Sequence, residues 1–167
     1  RKCNTIKTYE YRILNRRVPD PTVRLNSYFF YMPLDLEKMQ EAASYLVGEH
    51  DFKSFCSVRT QAEDTVRTIT DLTLKKEGDM ITLRISGNGF LYNMVRIIVG
   101  TLLKVGTGYY PPAHVEEILD ARNRSQAGPK APAHGLTLVS IIEEEELKKE
   151  VHIENKYMDY IVVQREI

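Results

Sequence analysis

Arg96 is the side chain with the most demanding surroundings in this sequence. It lies midway along Phe90 to Val105, where apolar residues cover nearly every face of a helix that ends at Gly106. From the centre of such a helix a long side chain has the hardest route to water. Burying an unpaired charge is costly, so a carboxylate or a phosphate is expected to meet the guanidinium. Asn93, Arg96, Gly100 and Lys104 fall on one narrow stripe of the helix. Between Met80 and Val115 there is no acidic residue, whereas Arg84, Arg96 and Lys104 are present. The chain has 23 basic and 23 acidic residues, so its basic character is local rather than global. On residue pattern alone, a structural ion pair and a functional arginine are both open for Arg96. Arg84 and Lys104 read as solvated.

Other reactive side chains form no comparable set. Cys3 and Cys56 match no metal-ligand spacing, and His50 and His134 are isolated, so no metal site is expected from them. The cysteines fit a reducing cytoplasm. Asp64 and Asp71 lie in or near a polar stretch with nothing to mark either as a nucleophile. No apolar run approaches a membrane span, so no membrane partner is expected. The opening residue is Arg1 rather than methionine, which is expected of a portion of a longer chain.

The elements that must position these residues follow from periodicity. At 167 residues the chain can bury one core, and 43% hydrophobic with 28% charged residues is ordinary for a folded domain. From Thr5 to Asn15 the residues alternate, with Tyr9, Tyr11 and Ile13 on one side and Thr8, Glu10 and Arg12 on the other, as in a half-buried strand. Pro19 and Pro21 mark a loop. Asp35 reads as the N-cap of a helix carrying Leu36, Met39, Ala43 and Leu46, with Gly48 placed to stop it. Thr65 to Lys75 and Met80 to Ser86 form a hairpin about the Glu77, Gly78, Asp79 turn. A second helix from Pro112 buries Val115, Ile118 and Leu119. Gln126 to Gly135, rich in Ala, Gly and Pro, is a loop feeding a strand from Leu136 to Ile142, and Tyr157 to Gln164 is a last candidate strand. This order predicts an α+β domain with a mainly antiparallel sheet packed against helices.

Several segments carry a specific resemblance. The string NGFLYNMVRIIVGTLLKVG is similar to the signature helix of the tRNA pseudouridine synthase A family. In matching order, KTYEYRILN resembles that family's tyrosine-bearing strand and GEHDFKSFCS its post-helix turn. TVRTI resembles its hairpin strand, and AGPKAPAHGLTLV its closing loop and strand. The resemblance implies the C-terminal half of a pseudouridine synthase fold over residues 1–145, with 146–167 an extension. It implies an enzyme in which an aspartate attacks a flipped-out uridine in the anticodon arm of tRNA, without cofactor or metal. Tyr9 then matches the tyrosine that contacts the base, Arg96 the arginine that pairs with the aspartate, and Leu136 the apolar residue lining the base pocket. Outside the resemblance, Tyr9 and Leu136 are the residue types that strands ordinarily place in a core.

The aspartate motif of that family belongs to the other half, and its nearest imitation, Arg59, Thr60, Gln61, has glutamine in its place. The expectation is therefore a chain that is inactive alone and completed by an absent N-terminal domain. tRNA is the expected partner, and a homodimer packed through its C-terminal halves the expected assembly. RNA contacts would be mostly to the backbone, with Lys7, Arg12, Arg16, Arg17, Arg24 and Arg67 as candidates, although each taken singly reads as a solvated surface cation. The alternatives are a stand-alone noncatalytic RNA-binding or dimerisation module and a purely structural interaction domain.

Overall fold

The structure is a computed structural model, and it describes residues 5–57, 62–143 and 145–146. The expected strand from Tyr157 to Gln164, the Arg59, Thr60, Gln61 triplet and Cys3 lie outside these residues.

The alternating segment forms the long strand β1, Thr5–Asn15, and the sheet is organised around it. The other strands are β2 (Tyr28–Phe30), β3 (Gly48–Asp51), β4 (Val66–Glu77), β5 (Met80–Gly87) and β6 (Leu136–Glu143). The order is β2-β1-β5-β4-β3. One edge of β1 pairs antiparallel with β5. The other is shared, with β6 antiparallel along Thr5 to Tyr11 and β2 parallel along Ile13 to Asn15. The fold is therefore α+β with a mixed, mainly antiparallel sheet.

The period of two along β1 separates two faces. Tyr11 and Ile13 are fully buried, and across the sheet Ile81, Leu83, Ile85, Leu72 and Leu74 join them in the core. On the opposite face the cross-strand neighbours are polar. Thr8 and Ser86 share a hydroxyl hydrogen bond of 2.7 Å, and Arg84, an exposed side chain, donates from Nη1 to Glu10 Oε1 at 2.9 Å.

Three helices cover the apolar face: α1 (Leu36–Ser44), α2 (Met94–Gly106) and α3 (His114–Ala121). Asp35 caps α1, its Oδ1 accepting from the Lys38 N–H at 3.2 Å. Helix α2 is buried on almost every face, from Met94 and Ile97 to Leu102 and Val105. Helix α1 packs on one side of it and the turn Lys53–Phe55 on another. The loop after α3 closes a third side.

Two helix starts and two short strands are the main differences from the sequence reading. Helix α2 begins at Met94 rather than Phe90, because Asn93 adopts the left-handed conformation, with φ 61°, and an L-residue there cannot continue a right-handed helix. Helix α3 begins at His114, leaving Pro112 just ahead of it. Strands β2 and β3 were not expected. Gly48, read only as a helix stop, opens β3 with φ 104°.

One buried hydroxyl ties the sheet to the loop. The Tyr11 hydroxyl donates to the Pro132 carbonyl at 2.6 Å. Burial, then the nearby Tyr28, pushes its pKa well above the usual tyrosine value of 10.0, while Arg96 opposes the shift. An unfolded chain releases this proton near pH 10 and the folded chain holds it, so native stability falls as pH rises beyond 10. Tyr11→Phe should lower the unfolding free energy at pH 7 by about 1–3 kcal/mol, since it leaves the Pro132 carbonyl without this donor. Urea titrations at pH 8 and pH 11 should also show that the variant loses less stability than wild type across that interval.

Candidate active site

The Ala-, Gly- and Pro-rich loop is fastened to α2 at successive turns of the helix. The Gly128 N–H donates to Thr101 Oγ1 at 2.9 Å, and Thr101 in turn donates to the Ile97 carbonyl at 2.8 Å. A side chain on Gly100 would overlap the Pro129 carbonyl, so the absence of a Cβ lets the loop lie directly on the helix. One turn earlier, the Ala131 N–H donates to the Arg96 carbonyl at 3.0 Å, and Arg96 Nε donates back to the Ala131 carbonyl at 2.7 Å. The spacing of Arg96, Gly100 and Thr101 is thus a docking track for this loop.

Beyond that track the loop leads through Gly135, which packs against the Tyr11 ring, into Leu136 at the start of β6. β1, the approach to α2 and the start of β6 enclose a cleft of about 350 Å³. Tyr9, Arg96 and Leu136 all line it, together with Phe90, Tyr92 and Ala133. Tyr9 and Phe90 meet edge to face, with centroids 5.2 Å apart and planes at 87°. Tyr9 and Leu136 are half-buried, so each contributes to packing and still faces the cleft.

Arg96 is also half-buried. Besides its bond to Ala131, its Nη1 donates to Asn93 Oδ1 at 3.3 Å. These neutral acceptors fix the plane of the guanidinium. Among the described residues no carboxylate lies within 4.0 Å of it. The left-handed turn at Asn93 ends the non-helical approach and sets its amide beside Arg96, so this backbone outlier belongs to the site's construction. The cleft therefore offers apolar and aromatic surfaces to a flat ring, with an oriented cation at one side. Such a pocket can hold a planar base and, next to it, a carboxylate or phosphate.

The six basic candidates occupy different places. Lys7 shares the face of β1 that carries Tyr9, and Arg67 stacks its stem beside Gly89 on the approach to the cleft. The Arg67 Nη1 donates to the carbonyls of Asp64 and Val66. Arg12 projects from the opposite face, the one that carries Glu10. Arg16, Arg17 and Arg24 lie past the far end of β1, and from Tyr9 to that end the strand extends about 20 Å. Arg16 donates to the Val18 carbonyl and stands 3.9 Å from Asp20. Lys7 and Arg67 thus lie on segments that border the cleft, although neither lines it, and the other four lie elsewhere. Lys104, further along α2, sits over the Tyr109 ring at 4.6 Å.

Phe90, Tyr92 and Asn93 line the cleft without having been singled out as site residues. Their signal was present in two aromatics ahead of an apolar helix, where an extended approach displays both. His50 contacts the Val47 carbonyl, and His134 lies beside the Tyr28 ring. Among the described residues no group of three or more His, Cys, Asp or Glu side chains is placed to hold a metal ion, and no helix is long and apolar enough to cross a membrane.

Comparison with known proteins places the sequence in a family. A family model described as tRNA pseudouridine synthase matches residues 42–142. The chain is 51% identical over 136 residues to tRNA pseudouridine synthase A of Bacillus licheniformis, covering 81% of this chain and 55% of the relative. It is 51% identical over 137 residues to that of Brevibacillus brevis, covering 82% and 56%, and 52% identical over 130 residues to that of Halalkalibacterium halodurans, covering 78% and 49%. The chain spans about half the length of these curated relatives. With a cleft assembled from the segments that carry the resemblance, and with matches over most of its length, the chain belongs to the tRNA pseudouridine synthase family.

Proposed function

We propose that the chain is the C-terminal, RNA-binding half of an enzyme that isomerises uridine to pseudouridine in the anticodon arm of tRNA. The observation that supports this best is the convergence of Tyr9, Arg96 and Leu136, from three separate segments, on one cleft. A base turned out of its stack needs apolar surfaces to replace its neighbours, and Tyr9, Phe90 and Leu136 offer them. Arg96 stands where a nearby cation would keep an aspartate from the remaining half ionised. In the reaction the bond from C1′ to N1 breaks and C1′ bonds to C5. C5 gives up a proton and N1 takes one, so substrate and product are isomers and no oxidant or reductant is consumed. On this reading the chain alone is inactive, and the complete enzyme acts on tRNA in the cytoplasm.

The sheet edge supports completion by further chain. Among the described residues β6 pairs only with β1, and Leu138, Val139 and Ile141 on it are exposed. An apolar edge strand of this kind is a template for another strand. The N-terminal half or a second copy in a homodimer would satisfy it. A noncatalytic RNA-binding module would use the same surface.

The test is chemical. Mixed with the half that carries the aspartate, the chain should release tritium to water from tRNA labelled at uridine C5, and neither half alone should do so. If the combined halves bind tRNA yet the tritium stays on the base, the enzymatic reading is wrong.

A further inference from the structure

A second cavity, of about 430 Å³, is lined by Lys53, Ser57, Glu63, Thr65, Arg122 and Arg124. It adjoins the cleft, because the Ser57 N–H donates to the carbonyl of Tyr92, a cleft residue, at 3.1 Å. Its three cations come from separate local elements: the turn Lys53–Phe55, the C-cap of α3 and the turn Arg124–Gln126.

These elements are locked together by buried polar groups. The fully buried Ser54 hydroxyl donates to the Ile118 carbonyl at 2.6 Å and accepts from the Asn123 N–H at 2.8 Å, which fixes the end of α3 against the Lys53 turn. Asn123 Oδ1 then accepts from the Ser125 N–H and hydroxyl. Asp51 Oδ1 accepts from the Thr65 hydroxyl at 2.5 Å and from the Lys53 N–H at 3.1 Å, and its Oδ2 lies 3.6 Å from Arg122 Nε. Arg124 donates from Nη1 to the Gly128 carbonyl at 2.9 Å, so the clamp that builds the cleft wall also orients this cation.

Arg122 is the telling residue. It caps α3 with φ 47° and ψ 42°, the left-handed conformation that glycine or asparagine ordinarily fills after a helix. An arginine here bears backbone strain, and it lines the cavity. Among the described residues, Lys53, Arg122 and Arg124 meet two carboxylates, Glu63 in the lining and Asp51 beside Arg122, an excess of one cation. That is the complement of one phosphodiester. Cys56 also lines the cavity, but its thiol is buried and burial, then Asp51, raises its pKa, so it is a packing group.

We propose that this cavity is a phosphodiester subsite that holds the backbone of the RNA strand whose uridine enters the cleft. The proposal rests on the function given above, and it assigns part of strand positioning to residues outside the uridine cleft.

The test uses the full chain and tRNA, with fluorescence anisotropy over a series of salt concentrations. Arg122→Gly and Lys53→Gln should each weaken binding by about three- to tenfold, and the loss of a phosphate contact should lower the salt slope by about one. Glycine relieves the left-handed strain, so Arg122→Gly should melt no lower than wild type, which separates lost binding from lost folding. Wild-type binding with unchanged affinity and slope in both variants would overturn the subsite and leave the proposed function standing. No tRNA binding at low salt by the wild-type chain, even when completed by its other half, would sink both. An inorganic phosphate titration followed by amide NMR covers a free-anion site. Shifts at residues 53–57 and 122–124, with tRNA affinity unchanged in the variants, would overturn assignment to the RNA strand.

Discussion

Gly100→Ala should lower the unfolding free energy by about 3 kcal/mol or more, the upper range for a core that is forced to accept extra volume. Alanine in place of glycine inside a helix normally stabilises by about 1 kcal/mol, so the expected sign is reversed here. The reversal comes from the Pro129 carbonyl, which lies where the Cβ would be placed. Backbone cannot swing aside as the end of a flexible side chain can. The loop has to lift, and with it go the two hydrogen bonds that join Ala131 to Arg96 and the one from Gly128 to Thr101. Gly108→Ala meets no atom within 4 Å and is strained only through its φ of 84°, so it should cost less. Urea midpoints of the two variants against wild type check the difference, and equal midpoints would show that the loop gives way freely.

The contrast between these two glycines explains what could be read from the sequence. Alternation in β1, the Asp35 cap and the hairpin about Gly78 are local signals, and each appears where the residues placed it. The apolar run around Arg96 correctly required a central helix. β2 and β3 have only three and four residues, too few for alternation to emerge, and they exist because β1 and β4 present edges to them. The stripe of Asn93, Arg96, Gly100 and Lys104 was visible, but its use was not. Two of its members receive a loop some 30 residues further along the chain, and no periodicity encodes that contact. Arg96 was expected to need an anion that the domain itself does not supply, and among the described residues main-chain and amide oxygens, not a carboxylate, hold it. The cleft itself was legible only through resemblance, since Tyr9, Arg96 and Leu136 are far apart in sequence and each alone has an ordinary core explanation.

Arg96→Ala, in the enzyme completed by its other half, should reduce pseudouridine formation by about a thousandfold, the upper range for loss of one preorganised charged partner. The decisive variant is Arg96→Lys, which retains the charge. Arginine uses Nε for the Ala131 carbonyl and Nη1 for Asn93, so the planar fork is fixed before any ligand arrives. A lysine ammonium is one point on a flexible stem and cannot hold both acceptors while turning a further donor towards the cleft. If orientation is what Arg96 supplies, Arg96→Lys should fall to within about tenfold of Arg96→Ala, with the loss mainly in kcat when tRNA is saturating. If charge alone matters, lysine should recover most of the activity. Arg96→Ala also leaves the Ala131 carbonyl without its side-chain donor, a loss of about 1–3 kcal/mol that urea unfolding measures separately. Single-turnover tritium release at saturating tRNA then distinguishes a cleft that has loosened from one that has lost its cation. Near-wild-type release by Arg96→Lys would mean that the loop contacts fix the fold and leave the chemistry indifferent to the guanidinium plane.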